Sequence, residues 1–289
     1  MAEKKKHHYV PRCYLEGFAH KCQVCAYDLI DRKPFESNII NICAENKFYY
    51  IPEGYRGKAL EALSIEDDFF ATTVEKDYSS FLATFSMFIE SQLKEGNNTF
   101  VINRNSRLTA SCFIYIQYVR TPRFRRLYER LSKDDRIRVT NAKGDDLNFV
   151  KLPVLFHAYG TYLNMNQLNK SSNILADRHL EVLYSTEGNF FSSDNPVTSI
   201  RLYKDKSFDF VDIADENSTV LFPVNKNIVI VFYPEKQEEN SDYPRIIVAN
   251  ENLENQVNAF TVLNAERFVI SYKDIHDIEK YKEFASFNK

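Results

Sequence analysis

The sequence predicts an α+β fold: a central helical bundle segment packed on a mostly antiparallel C-terminal sheet, with N-terminal strands joining it. Three observations carry this expectation. Apolar residues through the middle of the chain recur three and four apart, the spacing of a helix face. From about residue 180 the apolar runs turn short and rich in Val, Ile and Phe, as strands are. The first forty residues hold short strand-like runs that need a larger sheet to pair with.

The elements follow in order. Residues 7–10 predict a short strand, and Pro11 suits the first turn of the helix behind it. A strand at 24–29, a turn at 31–34 and an extended partner at 35–42 come next. Leu63, Phe70, Val74, Tyr78, Phe81, Phe85 and Phe88 form an apolar stripe, predicting one long helix over 60–93. A second helix starts at an Asn105/Ser106 cap and runs to Arg120, where Thr121-Pro122 breaks it. A third carries Phe124, Leu127, Tyr128 and Leu131; after a polar loop at 141–146, a fourth spans 152–169. Strands are expected at 180–185, 190–193, 197–202, 219–223, 228–233 and 246–248, then a helix at 253–264 and a strand at 268–272. Strands at both ends favour one α+β domain over 1–289, helical at about 57–170 and sheet-rich at about 180–272 and 7–42.

Composition narrows the function classes. With 44% apolar and 27% charged residues, the 289-residue chain reads as globular and not disordered. Only 7 Gly are present, and no Rossmann or P-loop pattern. A net charge of −3 gives no global pull on nucleic acid, and no apolar run reaches the ~18–20 residues that span a bilayer. No secretory signal is legible at the basic N-terminus, and five Cys read as reduced thiols, so a cytoplasmic location is expected.

The most distinctive run is His7-His8-Tyr9-Val10-Pro11-Arg12, continued by Tyr14-Leu15-Glu16-Gly17-Phe18-Ala19. With Lys47-Phe48-Tyr49, Gln117-x-x-Arg120-Thr121-Pro122 and Ser193-Asp194-Asn195-Pro196-Val197, it resembles the domain of unknown function 4238 family, mostly bacterial proteins of about this length. The resemblance implies that these motifs belong together; it brings no activity with it. A likeness of His-His-Tyr-Val-Pro to the start of an HNH nuclease motif is superficial, since the glycine-bearing segment and a downstream His at family spacing are missing.

Physical reasoning singles out a few polar residues. Adjacent His7 and His8 in a strand point to opposite faces, so one packs and the other meets solvent or a cleft. Arg120 shares a helical face with Phe113 and Ile116, beside Gln117. Its charge needs a carboxylate, carbonyls or an anionic ligand. Glu66 lies on the long helix's apolar stripe, with Asp67 as the substitute one residue out of phase. Arg120 then either pairs structurally with Glu66 or Asp194, or binds an anion in a cleft. Asp194 and Asn195 either make a strand-end turn, with Asn195 held extended by Pro196, or aim Asp194 at the histidines as metal ligand or orienting carboxylate.

These residue types point to a hydrolase or nuclease-like enzyme on a phosphate-bearing substrate. His7 or His8 serves as general base or metal ligand, Arg12 and Arg120 bind the anion with Gln117 and Asn195, and Glu66 and Asp194 orient or coordinate a divalent metal. The alternative is a non-catalytic binding or regulatory module whose same residues form a structural network. The Cys22-x-x-Cys25 pair lacks the second ligand pair of a structural zinc. Residues 104–138 carry nine Arg and one Lys against three acids, with Tyr115, Tyr118 and Tyr128 able to stack bases. A solvated face pairing with acids such as those of 235–242 is favoured over nucleic acid. Substrate, partner and oligomeric state are left open.

Overall fold

β-Branched and aromatic runs in the C-terminal half build a six-stranded sheet. The computed structural model describes residues 6–53, 61, 64–134, 152–205, 207–236, 243–275 and 277–281. Strands β5 (Arg178–Tyr184), β7 (Thr198–Leu202), β8 (Phe208–Phe210), β9 (Ser218–Asn225), β10 (Ile228–Lys236) and β11 (Arg245–Val248) order as β11-β5-β10-β9-β7-β8. Every pairing is antiparallel except β11 with β5. β10 is central, and its run Ile228-Val229-Ile230-Val231-Phe232 is buried throughout. Ile228, Ile230 and Phe232 enter the main core with the helices, while Val229 and Val231 face the opposite way toward Val257. A continuous apolar run is what a strand covered on both faces requires. Pro223 is tolerated in β9 because the ladder shifts register between Ile228 and Val229.

The N-terminal strands join C-terminal ones in a sheet of their own. β2 (Gln23–Asp28) and β3 (Lys33–Asn38) form a hairpin, and β12 (Phe268–Ser271) inserts between β2 and β6 (Ser192–Ser193), giving the order β3-β2-β12-β6. β1 (Lys6–His8) pairs antiparallel with β4 (Ala44–Asn46), a strand the pattern does not announce.

The helical middle departs from expectation in three places. The long helix is two kinds of helix, a π-helix over Ser64–Val74 running into α2 (Glu75–Lys94). Its buried positions are Ile65, Glu66, Phe70, Val74, Tyr78, Leu82, Phe85 and Ile89. Within α2 the buried face runs through Tyr78, Leu82, Phe85 and Ile89, so Phe88, one residue off that face, meets solvent. Residues 60, 62 and 63 of the expected helix, like the 141–146 loop, lie outside the described residues.

Helix α3 (Arg104–Val119) is capped by Asn103, whose side chain accepts from Ser106 N at 2.9 Å, two residues before the expected cap. Pro122 opens α4 (Pro122–Ser132) as well as ending α3, its missing N–H costing nothing at a first-turn position. The expected helix at 152–169 is α5 (Pro153–Gly160) and α6 (Met165–Ala176). Asn164 restarts the chain by capping Gln167 N at 3.1 Å.

α7 (Glu251–Asn264) covers the second face of the six-stranded sheet through Leu253, Val257 and Phe260. Behind β1, α1 (Arg12–Leu15) and a 3-10 turn (Glu16–Phe18) lie on β9. Tyr14 is fully buried yet donates its hydroxyl to Pro223 O at 2.7 Å and meets Ser192 Oγ at 2.8 Å. One main core runs from Tyr9 to Ile270.

Gly17 marks the closest approach of the N-terminal turn to that sheet. A Cβ there would stand 2.9 Å from Asn225 Cβ and 3.1 Å from Val224 O, and Gly17 O accepts from Lys226 N at 3.1 Å. Gly17→Ala is therefore expected to destabilise the fold by about 1–3 kcal/mol through overpacking. A urea melt should show a lower midpoint at unchanged slope.

Candidate functional site

β1 alternates as strand geometry demands, with Lys6 exposed, His7 fully buried and His8 half-buried. Tyr49 N donates to His7 Nδ1 at 2.8 Å, and the His7 ring stacks on Tyr49 at 6.0 Å between centroids. His7 thereby holds the turn around Lys47, which has a φ of 57°. The histidine motif and the Lys-Phe-Tyr motif are one local structure.

The end of α3 grips the same strand from the other side. Gln117 Nε2 donates to Tyr9 O at 3.3 Å, and Arg120, one turn on, donates to His8 O at 2.8 Å. Arg120 is only 1% exposed. Its guanidinium also meets Glu75 Oε1 at 3.0 Å and Tyr49 Oη at 3.4 Å, and lies 3.9 Å over the Phe70 ring. Tyr49 Oη in turn donates to Arg120 O at 3.1 Å. Burial works against this charge, but Tyr49 and Glu75 outweigh it and the arginine's pKa is raised. Burial pushes the Tyr49 phenol up to about 12, so it stays protonated.

Arg120 thus pairs with Glu75, not with Glu66 or Asp194. The sequence misses Glu75 because at 3.6 residues per turn it stands on the opposite face of the helix from Glu66, whereas the wider turns of the π-helix bring the two toward one face. Glu66 is buried on that π-helix, where its charge acts on Tyr49 and Tyr162. Asp67 is the more exposed of the two.

The Ser-Asp-Asn-Pro motif faces elsewhere. Asp194 Oδ1 accepts from Glu266 N at 2.9 Å, and Oδ2 from Arg267 N at 2.8 Å and Phe268 N at 3.1 Å. These are its side-chain hydrogen bonds, and none reaches His7 or His8. Burial raises the Asp194 carboxyl to about 6 against the pull of those three N–H groups. Asn195 Nδ2 donates to Asn264 O at 3.2 Å, and Asn264 Nδ2 returns to Asn195 O and Val197 O at 3.0 Å each. The motif pins the α7–β12 junction, as a strand-end turn would.

A family model described as "Protein of unknown function (DUF4238)" matches residues 6–274 of the 289-residue chain. The chain belongs to that family. No curated protein and no solved structure matches it. Three of the four DUF4238 motifs meet on β1, and the fourth fixes the strand that completes the N-terminal sheet.

Of the sequence-predicted residues, Arg12 lines an opening, and His8 is half-buried behind it, bonded to Ile39 of its wall. His8 Nε2 bonds Ile39 O at 3.3 Å, which assigns the ring proton to Nε2 and the lone pair to Nδ1. Burial lowers the pKa of His8, and the Arg12 and Arg120 cations add to this, so the ring is neutral at pH 7. Arg12, Glu75, Glu16 and Ile39 line a cavity of about 400 Å³. The Cys-x-x-Cys pair does not act together: Cys25 instead has its thiol within 4.8 Å of carboxylate oxygens of Glu36 and Asp274.

The arginine-rich stretch is mostly absorbed into the DUF4238 fold. Arg104 pairs with Asp177, and Arg107 is buried against Ala176 O and Arg178 O, tying α3 to the end of α6. Arg125, expected on a solvated face, instead lies 4.5 Å over Phe48 and donates from Nε to His157 Nδ1 at 3.3 Å. Of the expected base-stacking tyrosines, Tyr115 and Tyr118 are buried. Arg136, Arg138 and the acids at 237–242 lie outside the described residues.

His157 is fully buried, with Nε2 donating to Val119 O at 2.6 Å. Burial and Arg125 depress its pKa to about 3. Between about 3 and the ordinary 6.5 the folded chain therefore binds fewer protons at this ring than the unfolded chain. That contribution to stability is full above 6.5 and is lost as pH falls toward 3. Urea melts from pH 7 to 4 should show this decline, and His157→Gln should flatten it.

Proposed function

We propose that this chain is a non-catalytic binding module, in which the family motifs form a polar scaffold and do not bind substrate. One observation carries the reading: Arg120, the residue best suited to hold an anionic substrate, is enclosed and engaged by Glu75, His8 O and Tyr49 Oη. An anion-binding arginine presents its fork to an open cleft; this one presents it to the protein. Asp194 supports the same reading, because both its oxygens are occupied by backbone N–H groups.

Removing one partner from a buried pair strands the other, so Arg120→Ala should lower stability by about 3–5 kcal/mol. Asp194→Asn places an amide NH₂ against a backbone donor and should cost about 1–3 kcal/mol. Chemical denaturation of the purified variants checks both. An unchanged midpoint for Arg120→Ala would sink the scaffold reading and return that residue to ligand binding.

A second reading has an observation of its own. An opening lined by Arg12 and Glu75, with a half-buried His8 bonded to Ile39 of its wall, suits a hydrolase or nuclease-like reaction on a phosphate ester, with His8 as general base or metal ligand. If that site binds a divalent metal, Mn²⁺ or Mg²⁺ should raise the melting temperature by mass action, and His8→Ala should lose the shift. Turnover of a phosphate ester by the parent chain, abolished in His8→Ala, would displace the module reading. Neither a shift nor turnover is expected.

A further inference from the structure

The scaffold leaves one arginine cluster facing solvent. Arg123, Arg126 and Arg130 stand at i, i+3 and i+7 on α4, so they share a face, and Arg125 alone of the helix's arginines turns inward. The rest of α4 is charged or half-exposed; only Pro122 is buried, and Leu127 is 46% exposed. These three arginines border a cleft of about 480 Å³ between α4 and the segment that leaves β8. Its apolar walls include Tyr118, Phe124 and Phe210. Ligand clefts generally fall between about 300 and 1,000 Å³.

Charge within the cleft is unevenly compensated. Arg126 is paired with Glu266. Among the described residues, Arg123 bonds the neutral amide of Asn264, Oδ1 at 3.0 Å, and has no ion-pair partner of its own. Arg130 has no acceptor among the described residues, and Lys133 follows it one turn on. Across the cleft Asp212 accepts Ala214 N at 2.8 Å through Oδ1. Its other oxygen makes no hydrogen bond among the described residues.

We infer that this cleft binds a nucleotide, with its phosphate on Arg123 and Arg130 and its base against Phe124 and Phe210. The inference rests on the binding-module reading and gives that module its ligand class. The residue types divide the work. Guanidinium groups bind phosphate through charge-assisted N–H···O bonds. Exposed aromatic faces stack any base. Asp212 is a free acceptor for an exocyclic amine. A bare phosphate or sugar phosphate would leave the aromatic wall unused, and an uncharged aromatic ligand would leave the net positive charge of the cleft unmatched. A free mononucleotide and one unit of a single strand offer the same chemistry.

Titration calorimetry of the full chain at 50 and 200 mM salt distinguishes them, with AMP, ribose 5-phosphate and a short oligo(dA) as probes. AMP is expected to bind, ribose 5-phosphate to bind at least tenfold more weakly, and affinity to fall with salt. Arg123→Glu/Arg130→Glu should weaken AMP by at least tenfold and Phe210→Ala severalfold, with melting temperatures near the parent's. Should the double reversal fail to fold, Arg130→Gln gives the same comparison.

Tighter binding of the oligonucleotide than of AMP, still lost in these variants, assigns the site to a strand. AMP and ribose 5-phosphate binding alike, or oligonucleotide binding indifferent to Phe210, would overturn the proposal, as would no binding at all. Failure there leaves the scaffold reading standing, because Arg120→Ala tests that separately. Release of phosphate from bound nucleotide would overturn the non-catalytic reading while supporting the site.

Discussion

The fold depends on keeping one guanidinium out of water. Arg120 lies over the Phe70 ring and donates to the first carboxylate of α2, the backbone of β1 and the Tyr49 hydroxyl, so three separate segments share its hydrogen bonds. A desolvated charge tolerates little displacement, because each bond lost leaves an uncompensated group in low dielectric. The position of β1 against α3 is therefore set by chemistry and not by area: a three-residue strand paired with another three-residue strand would otherwise be marginal.

Around that charge the polar groups divide by side. His7, Tyr49, Gln117 and Arg120 knit the N-terminal segment to the helical middle. Asp194, Asn195 and Asn264 knit the late strands to the end of α7. Tyr14 bridges between the two, with its hydroxyl on β9 and β6. Most of these partners are backbone atoms. Side chains that bond backbone specify where chain segments cross.

Much of the architecture was legible in the sequence, since periodicity reports burial directly. β10 and β9 read as strands because their apolar runs are covered on both faces, and α7 because it covers one of them. The α+β class, the N-terminal hairpin and the residues that deserved attention all followed. The reading failed where the helix changes its own period: across Ser64–Val74 an α-helical phase cannot be carried forward, so Glu75 was passed over as the partner of Arg120. It also failed at the break between α5 and α6, where the signal was Asn164 acting as a cap inside an apolar pattern. Convergence was the part no pattern contains. Which of the motifs meet cannot be read from their order, and the structure turns Asp194 toward residues 266–268, away from β1.

The placement of β12 has a consequence for how the chain is made. Asp28 pairs with Phe268, 240 residues later, so the sheet begun by the β2–β3 hairpin waits for its central strand until nearly all of the polypeptide exists. At roughly 5–20 residues per second, a ribosome leaves the β2 edge unpaired for tens of seconds. An open edge is a template for the wrong neighbour.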